Sequence, residues 1–128
     1  MLLVKTKVKQ SNIAGLGLFA DEFIKEGTII WKLNVLIDKV IPITDLDKFS
    51  KLECEFLNMY AYREGDNLIL CSDNGRYFNH SKNPNTIDLI DERGSVTIAK
   101  ADINAGEEIV SDYSSFDADY YTYCDNFK

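Results

Sequence analysis

From residue 67 onward the chain settles into short apolar runs cut by glycine turns, and this rhythm constrains the fold more than any other feature. "NLILC", "NTIDLID", "SVTIAKA" and "EEIVSDY" are separated by "SDNG", "ERG" and "NAG", with "EGD" ahead of the first. Runs of this length, rich in β-branched residues and bounded by turn formers, are strands. "LVKTKVK" and "TIIWKLNVLI" carry the same density nearer the start, and the glycines and charges of "IAGLGLFADEFIKEG" between them read as turns. One helix is predicted. "TDLDKFSKLECEFLNMY" sets Leu46, Phe49, Leu52, Phe56, Leu57 and Tyr60 three and four apart, with Thr44 as the cap and Asp47 three residues on. The expected class is mainly β with a short helical insert.

A local pattern occurs twice, as "IKEGTII" over 24–30 and "INAGEEI" over 103–109. Each leads from an isoleucine into a Gly turn and then a strand, as two similar sheet corners would. At 128 residues the chain fits one domain, and 45% hydrophobic with 27% charged residues is the balance of a soluble globule. No apolar run approaches the ~20 residues of a membrane span. "MLLVKTKVKQ" is too short in its apolar part for a signal peptide. An intracellular protein is therefore expected, cytoplasmic by default. Cys54, Cys71 and Cys124 have no metal-ligand spacing, so free thiols are expected and a metal centre is not.

A net charge of −7 disfavours direct nucleic-acid binding, which needs a basic patch. Lys5, Lys7 and Lys9 alternate with apolar residues and read as an exposed strand face. Late in the chain, Asp112, Asp117, Asp119 and Asp125 interleave with Tyr113, Phe116, Tyr120, Tyr121 and Tyr123, a composition suited to a basic peptide partner. By charge alone, a solvated tail whose acids aid solubility is the favoured reading.

Among motifs, "GLGLF" lacks the third glycine and following helix of a dinucleotide loop. His80 stands alone, with no second ligand at metal spacing, and no G-x-S-x-G elbow supports a hydrolase. "RYFNHSKNPN", residues 76–85, runs two aromatics into polar groups that must find partners, which a binding site at a strand end would supply.

Taken in order, "GLGLFA", "RYFNHSKNPN" and "AGEEIVSDY" resemble the three recurring segments of the SET-domain family of protein-lysine methyltransferases. The size is similar to that of minimal viral or bacterial members. The resemblance spans nearly the whole chain and implies one SET domain over 1–128. An N-terminal part (1–41), the helical insert (42–66), a C-terminal part (67–113) and a short aromatic and acidic tail (114–128) would make it up. It also implies the family's β-fold with a C-terminal pseudoknot, shaped here by Pro84 and Asn85, and S-adenosyl-L-methionine as cofactor.

By the same resemblance, Tyr113 is the catalytic tyrosine, Tyr62 a second hydroxyl, and Tyr60, Ser111 and Tyr121 line the substrate channel. Cofactor contacts fall on Gly15, Leu16, Gly17, Leu18, Arg76, Asn79, His80 and Tyr113, with Phe116 and Tyr120 covering adenine. The implied partner is a basic protein or peptide with a target lysine, and a homodimer would help so small a domain stay folded. A histone substrate would place the protein in a nucleus or in a host cell. Two departures stand out: Val110 replaces the family's usual Thr, and no cysteine-rich module follows Tyr113, only Cys124. The alternative reading is a non-catalytic module that kept the fold to grip a basic peptide.

Overall fold

The computed structural model describes residues 1–91 and 94–113, and short strands dominate it. β1 (Thr6–Gln10) pairs antiparallel with β2 (Leu16–Ala20). β3 (Ile29–Lys32) joins the hairpin of β8 (Thr86–Asp91) and β9 (Gly94–Ala99) in the order β3-β9-β8. β4 (Lys39–Pro42), β5 (Ala61–Glu64) and β6 (Asn67–Leu70) form a second three-stranded sheet, in the order β4-β6-β5. Two-residue strands β7 (Asn79–His80) and β10 (Val110–Ser111) pair in parallel.

Three buried clusters hold these sheets together. Leu18, Ala20, Ile24, Ile30, Ala99, Ile103 and Ile109 form one; Ile41, Leu46, Cys54, Leu57, Ala61 and Leu68 pack beneath the helix; Trp31, Ile69 and Cys71 lie between them. Each fully buried Leu or Ile stabilises the fold by about 1.5–3 kcal/mol. The expected lysine face is present: Lys5, Lys7 and Lys9 are exposed, Lys7 lies 3.2 Å from Asp21, and the Lys9 ammonium sits 4.4 Å from the centre of the Phe19 ring.

The twin isoleucine-to-glycine segments do form matching corners. Ile24 and Ile103 exchange both backbone hydrogen bonds at 2.8 Å. Gly27 and Gly106 adopt φ of 85° and 91°, in the left-handed region where a side chain would be strained.

Several expectations are corrected. The helix α1 spans Lys51–Tyr60 and is capped by Ser50, not Thr44: the Glu53 N–H donates to Ser50 Oγ at 3.2 Å, and the Ser50 N–H donates to Glu53 Oε2 at 2.6 Å. Residues Ile43–Lys48 form a separate 3-10 turn, and Phe49 is extended. The apolar count ran across that break and lost its phase, so Leu52 and Phe56 are 75% and 41% exposed while Cys54 and Leu57 are buried. Leu16–Ala20, read as turns, is a strand, because the turn is confined to Gly15 with φ of 46°. "TIIWKLNVLI" is not one strand; it ends at Lys32, and a new strand starts at Lys39. "EEIVSDY" contributes only Val110–Ser111, and Ala61–Glu64 is a strand the pattern did not reveal.

Candidate active site

The segment after the second corner is hydrogen-bonded on both edges. On one edge the Ile109 N–H donates to Leu18 O at 2.7 Å, and the Ala20 N–H donates to Glu107 O at 2.9 Å. On the other, a single side chain substitutes for a strand: Asn85 Nδ2 donates to Glu108 O at 2.8 Å, while Asn85 Oδ1 accepts from the Val110 N–H at 2.9 Å. The Ser81 N–H donates to Ser111 O at 2.9 Å, and Thr86 Oγ1 donates to Val110 O at the same distance. The C-terminal segment is thereby laced to the 79–86 loop, and Tyr113 emerges beside His80.

His80 Nδ1 accepts the Tyr113 backbone N–H at 3.0 Å. Asp112 Oδ1 lies 3.7 Å from the same nitrogen. A nitrogen that accepts the shorter contact carries no hydrogen, so the hydrogen bond defines this atom and the ion pair does not. The Tyr113 hydroxyl donates to Phe78 O. Asn79 Nδ2 donates to Ala14 O, Leu16 O and Glu108 Oε1 at 3.2, 3.1 and 2.9 Å, pinning the glycine turn to the C-terminal segment. That junction explains Gly17: a Cβ there would lie 2.1 Å from Glu108 Oε1. The close approach allowed by this glycine is to Glu108.

Two cavities flank Tyr113. The strand-side cavity, about 280 Å³, is walled by β5, β8, β9 and β10 through Tyr62, Asp88, Ser95, Thr97 and Ser111, with Trp31 and Cys71 at its inner end. The turn-side cavity, about 490 Å³, is bounded by Ile13, Ala14, Gly15, Leu16, Tyr77, Asn79 and His80. Met59, Tyr60, Arg76, Phe78 and Tyr113 belong to both. Thus Gly15, Leu16, Asn79 and His80 gather on the turn side, Tyr62 and Ser111 on the strand side, and Tyr60, Arg76 and Tyr113 between. Gly17 and Leu18 line neither cavity, and the Leu18 side chain is fully buried in the core. Phe116, Tyr120 and Tyr121 lie outside the described residues.

The polar side chains of the mostly apolar strand-side wall are linked. The Tyr62 hydroxyl donates to Ser95 Oγ at 3.0 Å, and Ser95 Oγ donates to Glu64 Oε1. Burial raises the Tyr62 pKa, so the hydroxyl stays neutral. Burial likewise pushes the Cys71 thiol up to about 12, which leaves it unreactive. Thr97 Oγ1 donates to Asp88 Oδ1 at 2.7 Å, and Ser111 Oγ lies 2.9 Å from Thr86 Oγ1. Burial drives the Asp88 carboxyl up to about 6; hydrogen bonds from Thr97 and Ser111 oppose the rise, and nearby Asp112 adds to it. Among the described residues, the buried atoms Trp31 Nε1 and Asn58 Oδ1 have no hydrogen-bond partner, and both residues line this cavity.

The sequence reading did not single out Met59, Phe78, Asp88 or Thr97. Asp88 had a legible signal. In "TIDLID" strand alternation turns either Ile87 and Leu89 or Thr86 and Asp88 inward; Thr86 is buried and Asp88 half-buried, while Ile87 and Leu89 are 45% and 50% exposed. An inward-facing polar strand marks a site more often than a core.

The SET-domain family model matches residues 15–114. A Plasmodium falciparum (isolate 3D7) protein provisionally named histone-lysine N-methyltransferase 1 is 34% identical over 116 residues, which are 83% of this chain and 2% of that protein. The chain therefore spans only a small part of that relative's length. Among solved structures, the crystal structure of a Plasmodium falciparum protein, provisionally a histone methyltransferase, aligns with a TM-score of 0.60 at 24% identity, covering 88% of this chain and 95% of that one. The Chaetomium thermophilum Polycomb repressive complex 2, in an autoinhibited conformation bound to S-adenosylmethionine, aligns with a TM-score of 0.68 at 20% identity, over 96% of this chain and 17% of that one. At these identities the structural likeness is one of fold.

Proposed function

This chain belongs to the SET-domain family, a family of S-adenosylmethionine-dependent methyltransferases, and on that premise we propose that it is a protein-lysine N-methyltransferase acting on a basic, histone-like protein. The observation that carries this reading is the wall shared by the two cavities, where Tyr113 stands with Tyr60, Met59, Arg76 and Phe78. A group-transfer enzyme with two substrates needs such a waist, because donor and acceptor must enter from opposite sides and meet in line.

The turn-side cavity suits the cofactor. Its volume lies in the usual small-molecule range of roughly 300–1,000 Å³, and its wall offers backbone groups at Gly15 and Leu16 beside His80. Asn79 acts there as an anchor, its amide holding the turn in place. Arg76 rests 5.8 and 5.9 Å from the ring centres of Tyr60 and Phe56, which keeps its charge at the waist. When bound, S-adenosylmethionine supplies a methyl group on a sulfonium: the amine lone pair forms the N–C bond, the S–C pair stays on sulfur, and positive charge passes to nitrogen.

Tyr113 takes the catalytic role in this reading. His80 holds its backbone, and its hydroxyl, fixed on Phe78 O, offers an oxygen to the methyl and amine groups at the waist. Tyr62 and Ser111 shape the lysine side. A lysine with an ordinary pKa near ~10.4 must arrive or become neutral, which burial favours. Isotope transfer from labelled cofactor into a panel of basic proteins, followed by mass spectrometry of the labelled lysine, tests the proposal. Cofactor binding with peptide binding but no transfer would identify a binding module instead, and no cofactor binding by calorimetry would overturn the reading.

A further inference from the structure

Asp88 is a half-buried carboxyl on the wall of the strand-side cavity, where burial raises its pKa. Its side chain lines that cavity beside the Thr97 hydroxyl, on a strand that leaves Ile87, Leu89 and Ile90 exposed. No cation of the protein is within ion-pair distance of it among the described residues: the cavity's own guanidinium, Arg76, rests against Phe56 and Tyr60. A carboxylate can accept about four hydrogen bonds. Thr97 supplies one donor and leaves room for others from within the cavity.

We propose that Asp88 is the anionic end of the lysine channel, accepting an N–H of the target amine and offsetting the positive charge that collects on its nitrogen as the methyl arrives. This rests on the methyltransferase reading and names the residue that selects an amine at that site. The physical case is electrostatic. Methyl transfer turns a neutral amine into an ammonium, so an anion fixed behind the nitrogen is worth more at the end of the step than at its start. In a walled cavity that difference is larger than in water. The carboxylate also distinguishes lysine from an apolar side chain of the same length, which would leave it without a counter-charge; it favours the protonated amine on arrival, so the proton must leave before the methyl transfers. A trimethylated nitrogen has no N–H to give, so the contact weakens at the last methylation state.

Ionisation of Asp88 sets the pH dependence. Other titratable groups face the same cavity: Tyr60 and Tyr62 ahead of and on β5, Glu64 through Ser95, Cys71 after β6, and Asp112 and Tyr113 after β10. With its carboxyl near 6, Asp88 is charged at neutral pH and loses its charge on mild acidification.

The test uses n-butylammonium, the lysine side chain in miniature, and uncharged 1-butanol, titrated into the full chain and followed by amide NMR shifts. The wild type is expected to prefer the cation by tenfold or more, with the shifts centred on Ser111 and Thr97, and to lose the preference as pH falls through about 6. Asp88→Asn should bring the two ligands level, and Asp88→Glu should restore much of the difference. Equal preference in wild type and Asp88→Asn, or no saturable butylammonium binding by the wild type, overturns the proposal. Because Asp88→Asn could be lost to misfolding, its thermal unfolding and its cofactor affinity by calorimetry are measured alongside. Should it misfold, the wild-type pH titration decides: a preference unchanged down to pH 5 overturns the proposal. The two readings fail separately. Absent methyl transfer with an Asp88-dependent amine preference sinks the enzyme and keeps the amine site; intact transfer with no such preference sinks only Asp88.

Discussion

The two cavities share five residues but are built by opposite means. The turn-side cavity is walled by chain that is not in long strands: residues 13–16, the 3-10 turn Asn74–Tyr77 and the two-residue β7. Its shape depends on anchors such as the Asn79 amide on Ala14 and Leu16. The strand-side cavity is walled by paired strands whose backbone is fixed by ladders, so its chemistry sits in side chains. The comparison teaches where each is vulnerable. The first fails when an anchor is lost; the second keeps its shape and changes its selectivity one atom at a time.

Tyr113→Phe strikes the junction and should have the largest effect. One hydroxyl aimed at the transition state is worth roughly 3 kcal/mol, so turnover should fall by at least ~100-fold while cofactor affinity stays nearly intact. Steady-state kinetics beside calorimetry check this, and near-normal turnover would remove Tyr113 from the catalytic role.

Asn85→Ala breaks the lacing that supports both sides. It strands the Val110 N–H and the Glu108 carbonyl, which Asn85 alone satisfies on that edge. Two lost partners should cost about 2 kcal/mol and lower the melting temperature by roughly 6–12 °C. A calorimetric melt within a degree or two of wild type would show that the neighbouring contacts hold the segment without it.

Asp88→Asn should separate the cavities by moving stability the other way. The folded pKa of Asp88 is raised from 3.8 to about 6, so the folded chain resists the charged form that the unfolded chain tolerates. That penalty is full above about pH 6, shrinks as pH falls, and vanishes only well below 3.8, where both states are protonated. The variant is expected to be more stable than wild type by about 1–2 kcal/mol at pH 8, with the gap closing on acidification. Denaturant melts across that range measure it. A gap that is constant with pH would mean that the carboxyl is not strained by burial. A residue that weakens the fold at neutral pH and is retained fits a functional post.

How much of this was written in the sequence differs between the same two regions. The strand-side sheets were legible because runs such as "NLILC" and "SVTIAKA" have strand composition and turn boundaries, and β6 and β9 lie within them. The twin corners were legible too, since an isoleucine three residues before a glycine fixes both a buried side chain and a turn. The turn-side construction was not. Gly17 reads as a hinge or ligand approach until Glu108, far along the chain, is seen against it. Asn85 reads as a turn former until its amide is found acting as a strand edge. Such contacts join residues distant in sequence and leave no periodic trace. Only the resemblance of whole motifs pointed to them. The register of α1 failed for a local reason: Phe49 interrupts the helix, and the capping pair Ser50 and Glu53 was the better start signal.

The smallest effect expected is on product, at Ser111. In the family resemblance this position, two before the tyrosine, governs how many methyl groups a lysine receives, and a serine there is small. Ser111 is 3% exposed, lines the strand-side cavity and meets Thr86 Oγ1 at 2.9 Å, so its side chain faces that cavity rather than solvent. Space beside the amine should then permit a methylated nitrogen to turn and accept again, and dimethyl or trimethyl lysine should accumulate under excess cofactor. Ser111→Tyr fills that space and adds a hydroxyl able to hold a water against the amine. It also crowds Thr86, so a stability loss of about 1–3 kcal/mol should accompany it. Overall turnover should change little, with the ratio of higher to monomethyl product falling by roughly tenfold, about 1.4 kcal/mol of discrimination. A mass-spectrometric time course on a methylated substrate reads the ratio directly. If the wild type halts at monomethyl lysine, the limit is not steric at Ser111, and the Asp88 contact with the amine N–H becomes the first place to look for it.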